Sequence, residues 1–264
     1  MTYSDLELAF ELADAADKVT LGGFLGVLDI ELKSDRSPVT AIDRNAETAI
    51  RQLLAQYRPG DAVHGEEHED TGAGNRQWII DPIDGTKNFI REVPVWASLI
   101  SLSVDDIVTV AVVSAPALSR RWWAVRDEGA HAQWFGPGGV RTRKLTVSEV
   151  DAFEEASFSY SSMRGWTENG LETGFLDLQR ATWRQRAFGD FWSYVLLAEG
   201  AVDIAAEPEV PLYDLAAVSL IVEEAGGTFT DISGRRGPGG GSAVATNGIL
   251  HERVLSVLTD TNTH

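Results

Sequence analysis

The chain predicts a layered α/β fold, and three observations carry that prediction. Two amphipathic helical patterns open the sequence, closely spaced strand-like runs fill about residues 62 to 135, and from about residue 156 short strands alternate with helices. The first half therefore reads as helices laid on a largely antiparallel sheet, the second as another α/β layer pair.

Taken in order, Ser4 and Glu7 have capping-box spacing, and Leu8, Leu12, Ala16 and Val19 recur at helical intervals, with Gly22 and Gly23 marking the end. "KSDRSP" reads as a loop. "TAIDRNAETAIRQLLAQY" predicts a second helix with Ala46, Ile50, Leu53 and Tyr57 on one face, stopped by "RPG". "AVHG", "QWII", "VWASLISLS", "IVTVAVVSAP", "RWWAVR" and "GAHAQWF" predict strands. Beyond them come "SFSYSS", a helix near 168–180, "TWRQRAF", helix "DFWSYVLLAEG", "VDIAAE", helix "YDLAAVSLIVEEAGG", "TFTD", "AVATN" and a closing helix to about Leu258. "GPGG" at 136 and "GPGGG" at 237 lack the Gly-Lys-Ser/Thr ending of a phosphate loop and read as surface turns.

A length of 264 residues suits one compact domain over 1–264, subdivided into 1–145 and 146–264. The absence of cysteine excludes disulfides, thiolate metal sites and cysteine nucleophiles, and fits a reducing cytoplasm. No segment supplies the ~20 apolar residues of a membrane span, and the start lacks the pattern of a signal peptide. A net charge of −18 argues against nucleic acid and anionic membranes as partners. The basic cluster Arg120, Arg121, Arg126, Arg141, Arg143 and Lys144 around Trp122 and Trp123 reads instead as an exposed sheet or a subunit contact.

Chemistry concentrates in "WIIDPIDGTKNF", where an apolar run ends in Asp81 and Asp84. Pro82 keeps Asp81 out of helical conformation and Gly85 permits a tight turn, so both carboxylates can converge at a strand end. Two ionised carboxylates that close repel unless a cation lies between them. An all-oxygen donor set favours Mg²⁺, to which the Ile83 carbonyl can add. Thr86 can orient a water, and the amides of Gly85, Thr86 and Lys87, with the Lys87 charge, can receive an anion. A plain polar turn is the alternative for this motif alone. An EF-hand fails, since Ile83 and Thr86 occupy its oxygen-ligand and glycine positions. Glu66 and Glu67 at another strand end, Asp214 at a helix start and Asp43 at the front of the second helix can share the same crevice. There is no G-x-S-x-G elbow, and Gly65 argues against His64 and His68 as a helical zinc pair.

Together "SPVTAIDRNAE", "GEE", "WIIDPIDGTKNF" and "YDLAAVSLIVEEAGG", in this order, closely resemble the inositol monophosphatase family of metal-dependent phosphatases over about residues 5 to 258. The resemblance implies an αβαβα sandwich, commonly a homodimer, acting on a small phosphate monoester with two or three Mg²⁺. It implies that Glu66, Asp81 and the Ile83 carbonyl hold one ion, that Asp81, Asp84 and Asp214 hold a second, that Thr86 and Glu66 activate water, and that Asp43 supports Thr86. Asp84, Gly85, Thr86 and Lys87 would contact the phosphate, and Lys33 matches a loop lysine that moves near the site. Tyr213 departs from the family, many members having Trp there, which puts local packing in doubt. Arg186, Asp190 and Glu207 fall where members place substrate-contacting residues. "GDFWSY", "VPVWASLISL" and "SAPALSRRWWA" look most like the histidinol-phosphatase branch, found in histidine biosynthesis. Inositol 1-phosphate or another small phosphomonoester is the alternative substrate, and a metal-binding regulatory protein the alternative without catalysis.

Overall fold

Both predicted rhythms fold as sheets, but the two sheets share one central pair of helices. The computed structural model describes residues 3–26, 28, 30–33 and 38–259. Most of "KSDRSP" (34–37) lies outside them. Helix α1 (Asp5–Gly23) starts on the expected Ser4/Glu7 capping box, and α2 (Ala41–Tyr57) on a second one formed by Thr40 and Asp43. Between them, β1 (Ile30–Leu32) and β2 (Pro38–Thr40) pair antiparallel. The buried face of α2 carries Asp43, Ala46, Glu47, Ile50 and Leu54, so the stripe runs through Leu54 where Leu53 was expected, and it includes two carboxylates.

The larger sheet has the order β3 (Ala62–Gly65), β4 (Arg76–Asp84), β5 (Ala97–Val104), β6 (Ile107–Ala115), β7 (Arg120–Val125), β8 (Gly129–Gly136) and β9 (Gly139–Lys144). Only the β3–β4 pair among these is parallel. The turn α3 (Thr86–Phe89) follows β4. Both faces of this sheet are covered, so β5 is apolar on both: Ile100 and Leu102 pack on α1 and α2, Ala97 and Leu99 on the opposite layer. β9 was not expected as a strand. "GPGG" turns out to be the tip of a hairpin in which Gly136 pairs with Gly139, and "VRTRK" is an exposed edge strand with no buried face to give it alternation.

In the second half α4 (Met163–Glu168) and α5 (Glu172–Ala181) replace the single helix expected near 168–180, because Gly170 takes φ +71 and breaks it. The smaller sheet, of order β11-β10-β12-β14-β13, comprises β10 (Ser157–Ser159), β11 (Arg184–Arg186), β12 (Ile204–Glu207), β13 (Thr228–Thr230) and β14 (Ala243–Thr246). Helices α6 (Asp190–Ala198) and α7 (Leu212–Glu224) lie between the sheets, and α8 (His251–Thr259) packs with α5 on the far side. The layers are therefore α1/α2, large sheet, α6/α7, small sheet, and α4/α5/α8: an αβαβα sandwich. The central layer is apolar nearly all round, as burial between two sheets requires, with eight consecutive residues from Leu215 to Val222 buried.

Four residues of the basic cluster, Arg120, Arg121, Arg126 and Arg143, are paired with acids, while Arg141 and Lys144 lie exposed on β9. Buried Arg121 donates to Asp14 and Asp17 of α1, each at 2.7 Å, and to Ser114 at 3.1 Å, while Arg120 meets Glu199 and stacks 4.7 Å from the Trp122 and Trp134 rings.

Candidate metal and phosphate site

At the end of β4 the ladder to β5 slips: Asp81 lies opposite Leu99 and Asp84 opposite Ala97, so Pro82 and Ile83 together oppose Ser98. In a regular strand, residues three apart face opposite ways. The bulge supplies one extra residue and puts both aspartates on the face toward α6 and α7. It also takes the Ile83 carbonyl out of the ladder, where it accepts the Thr86 hydroxyl at 3.0 Å, while the Pro82 carbonyl accepts the Ser98 hydroxyl at 2.7 Å.

Asp214, in the first turn of α7, completes the group: one carboxylate oxygen each from Asp81, Asp84 and Asp214 lies within 4.8 Å of the others. Burial, Glu66 and Asp214 push Asp81 well above the ordinary carboxylate range. Burial, Asp190 and Asp214 do the same to Asp84, against which the Phe191 amide pulls down. Burial and Glu66 push Asp214 up to about 8. Three clustered acids, two buried and one half-buried, that resist ionising together are what a hard divalent cation would stabilise, so the donor set fits Mg²⁺.

Glu66 sits just beyond β3 with its Oε1 2.7 Å from the Lys33 Nζ, which is also 2.7 Å from Glu67 Oε1. Burial lowers the proton affinity of Lys33, but the hydrogen bonds to these two glutamates outweigh it and hold the ammonium charged. Burial pushes Glu67 up to about 7 despite its bond to Lys33. Sequence reasoning missed the support beneath this turn. Fully buried Glu47 of α2 accepts the Glu67 amide at 2.7 Å and Arg51 Nε at 2.7 Å, and its carboxyl fills the space a side chain at Gly65 would need. A buried acid four residues after another acid on an amphipathic helix was its one signal in the sequence.

Thr86 lies between the Ile83 carbonyl and Asp43, whose Oδ1 is 3.4 Å away. The other oxygen of Asp43 accepts the Thr40 amide at 2.9 Å and hydroxyl at 2.6 Å, so its orientation is fixed by the helix cap itself. Burial raises the Asp43 pKa, and the Thr40 bonds oppose this. Gly85 has φ +86, and a Cβ there would stand 3.1 Å from the Val95 carbonyl, which is why glycine is required at this turn. Phe24, Phe89 and Trp96 pack ring to ring beneath the turn.

One cleft is lined by Pro38, Glu66, Asp81, Ile83, Asp84, Gly85, Thr86, Lys87, Asp190 and Asp214. Asp190 opens α6, where burial raises its pKa and Lys87 opposes the rise. Glu207 ends β12 nearby, and burial and Asp190 push it up to about 8. Asp43 lies just behind the cleft through Thr86. Arg186 does not line it. The residue is exposed at the end of β11, level through Ser159 with Ala205, and its guanidinium rests on the Gln185 carbonyl. Tyr213 is half-buried beside His64, with ring centres 6.1 Å apart.

A histidinol-phosphatase of Mycobacterium tuberculosis is 55% identical over 261 residues, covering 98% of this chain and 99% of that protein. A histidinol-phosphatase of Streptomyces coelicolor is 52% identical over 259 residues, covering 96% of each. Among solved structures, an inositol monophosphatase from Zymomonas mobilis matches with a TM-score of 0.83 at 32% identity, covering 96% of this chain and 97% of that one. The IMPase of Thermotoga maritima matches with a TM-score of 0.84 at 29% identity over 97% of this chain and 96% of that one. The inositol monophosphatase family model spans residues 3–262. With its fold, its clustered carboxylates and these relatives in agreement, the chain belongs to the inositol monophosphatase family.

Proposed function

We propose that this protein is a Mg²⁺-dependent histidinol-phosphatase that hydrolyses L-histidinol phosphate to L-histidinol and phosphate, the step assigned to histidine biosynthesis. The observation that carries the reading is identity above half, over nearly the full length, to two relatives that bear this name. The acidic pair Asp190 and Glu207 beside the cleft supports it, because a substrate with an ammonium and an imidazole is stabilised by opposite charge in a site partly screened from water.

In this reading Glu66, Asp81 and the Ile83 carbonyl would hold one ion, and Asp81, Asp84 and Asp214 another, with two or three ions in all. Bound Mg²⁺ supplies positive charge that screens the phosphoryl oxygens and acidifies a neighbouring water. The chain's own residues do the rest. The Thr86 hydroxyl donates a hydrogen bond to the Ile83 carbonyl or to Asp43, leaving its oxygen free to accept one from the attacking water and aim it. Glu66 takes up the water's proton once Lys33 is drawn aside. Asp84 and the amides of Gly85, Thr86 and Lys87, with the Lys87 charge, would frame the phosphate; Asp190 and Glu207 would face the alcohol portion, while Arg186, outside the cleft lining, would reach it only by moving.

The reading includes one compact unit joined near residue 145, a homodimer contacting through β7 and β8, and a cytoplasmic location. Exposed Phe135 in β8 supports the contact, and a monomer mass by light scattering at micromolar concentration would remove it. No helix among the described residues is long and apolar enough to cross a membrane.

Inositol 1-phosphate is the second reading, favoured by the inositol monophosphatases among the structural neighbours. Catalytic efficiencies on L-histidinol phosphate, inositol 1-phosphate, fructose 1,6-bisphosphate and adenosine 3′,5′-bisphosphate, with Mg²⁺ and with chelator, test both. Histidinol phosphate is expected to lead and to depend wholly on the metal. A lead for inositol phosphate replaces the first reading with the second.

A further inference from the structure

The first turn of α6 is gripped from both sheets. Its N-cap is Gly189, which has no side chain to accept the helix's open amides, and two of these find acceptors elsewhere. The Phe191 N–H donates to Asp84 at the end of β4, and the Asp190 N–H donates to the Ser161 hydroxyl at 3.2 Å. Ser161 lies two residues beyond β10, whose last residue, Ser159, has its hydroxyl 2.7 Å from that of Ser193 on α6. Asp190 and Ser193 are three apart, so both contacts fasten one face of α6 to one strand and its exit.

Asp190 alone among the α6 residues lines the cleft. Its carboxylate reaches across to the turn after β4, where a Cβ placed on Gly85 would stand 3.4 Å from Asp190 Oδ2. It does so from a backbone that side chains seldom adopt, φ +49 directly after Gly189 at φ +76. The two held amides explain how that backbone persists. The Asp190 N–H belongs to the peptide plane before its Cα and the Phe191 N–H to the plane after it. With each plane held by a side chain, both backbone angles of Asp190 are fixed, and so is the direction in which its side chain leaves. Asp84 holds the second plane and Ser161 the first.

We propose that Ser161 is a positioning residue for substrate selectivity: by holding the Asp190 amide it fixes the left-handed turn that aims the Asp190 carboxylate into the cleft, toward the cationic part of the substrate. The assignment rests on the histidinol-phosphatase reading. Ser161 does not line the cleft and acts through Asp190, with no part in the proton transfers of hydrolysis.

Steady-state kinetics of the Mg²⁺-loaded wild type, Ser161→Ala, Ser161→Thr, Asp190→Asn and the double variant Ser161→Ala with Asp190→Asn, on L-histidinol phosphate and on p-nitrophenyl phosphate, test it. Asparagine tolerates the left-handed backbone as aspartate does and removes only the charge. In Ser161→Ala the ratio of kcat/KM for histidinol phosphate over p-nitrophenyl phosphate is expected to fall about fivefold, through KM more than kcat, as loss of one hydrogen bond implies. Asp190→Asn should lower it at least as far, and Ser161→Thr, which keeps the hydroxyl, should stay near wild type. In the Asp190→Asn background Ser161→Ala should move the ratio no further. An unchanged ratio in Ser161→Ala or in Asp190→Asn, an equal loss on both substrates, a threonine variant no better than alanine, or an undiminished fall in the double variant overturns the role of Ser161. A wild type without preference for histidinol phosphate overturns the parent reading, and this inference falls with it. Should Ser161→Ala fail to fold, Gly189→Ala must lower the same ratio or the inference is lost, since a Cβ there has room, 3.6 Å from Ser161 Cα, but strains the same turn at φ +76.

Discussion

The Asp84 carboxylate accepts the backbone N–H of Phe191 at 2.6 Å, across 107 residues of chain. One oxygen of a candidate metal ligand thus closes the first turn of α6, where a negative charge is favoured by the helix dipole. The end of β4 and the start of α6 are aligned by the same side chain that would meet the cation.

Asp84→Asn should separate these two duties. The amide oxygen can still accept the Phe191 N–H, so thermal melting without metal should stay close to wild type. Mg²⁺-dependent phosphate release should drop on the order of 100-fold or more, as for loss of a preorganised charge in a water-poor site. Full activity at limiting Mg²⁺ would remove Asp84 from the ligand set.

Metal-free protein should lose stability as pH rises from 5 to 8. Asp214 and Glu207 release their protons near 8 and Glu67 near 7 when folded, but close to 4 when the chain is unfolded. Between those values the unfolded chain binds fewer protons than the folded one, so raising the pH favours unfolding. Mg²⁺ should therefore raise the melting temperature more at pH 8 than at pH 5. Melting curves in chelator and in Mg²⁺ at both values check this, and an equal shift at the two would contradict it.

Glu47→Ala should cost about 3 kcal/mol, because it strips a buried carboxylate from Arg51 and leaves the Glu67 amide unpaired. Glu47→Gln retains an acceptor for that amide and should cost less. Urea unfolding midpoints measure both, and an alanine variant as stable as wild type would show that the β3 turn does not depend on Glu47.

The layers were legible because helix caps and apolar periodicity are local: Ser4, Glu7, Leu8, Leu12 and Ala16 stand where spacing put them, and only the last turn differs, with Thr20 buried where Val19 was expected. Where a feature depends on a neighbour, spacing misled. Leu54 is buried, while Leu53, expected there, packs only partly buried against the same core. The break at Gly170 was written in "ENG", an Asn-Gly turn signal that the helical pattern around it concealed. The acidic motif was readable as a set, whereas Glu47, which supports it from behind, carries no motif of its own. Convergence of Asp81 and Asp84 was anticipated from Pro82 and Gly85, but the bulge that delivers it is a property of the pairing with β5 and cannot be read from β4 alone.

That bulge makes the site sensitive to chain length in a way that substitution would not reveal. Remove Pro82 and the ladder can become regular with both aspartates still on one face, since they would then be two positions apart. What would be lost is the Ile83 carbonyl, drawn back into strand pairing and away from Thr86. A main-chain oxygen survives every exchange of side chain at its position. Among relatives, then, this donor can disappear only through insertion or deletion, and the count of residues between the two aspartates should vary less than the identity of those residues.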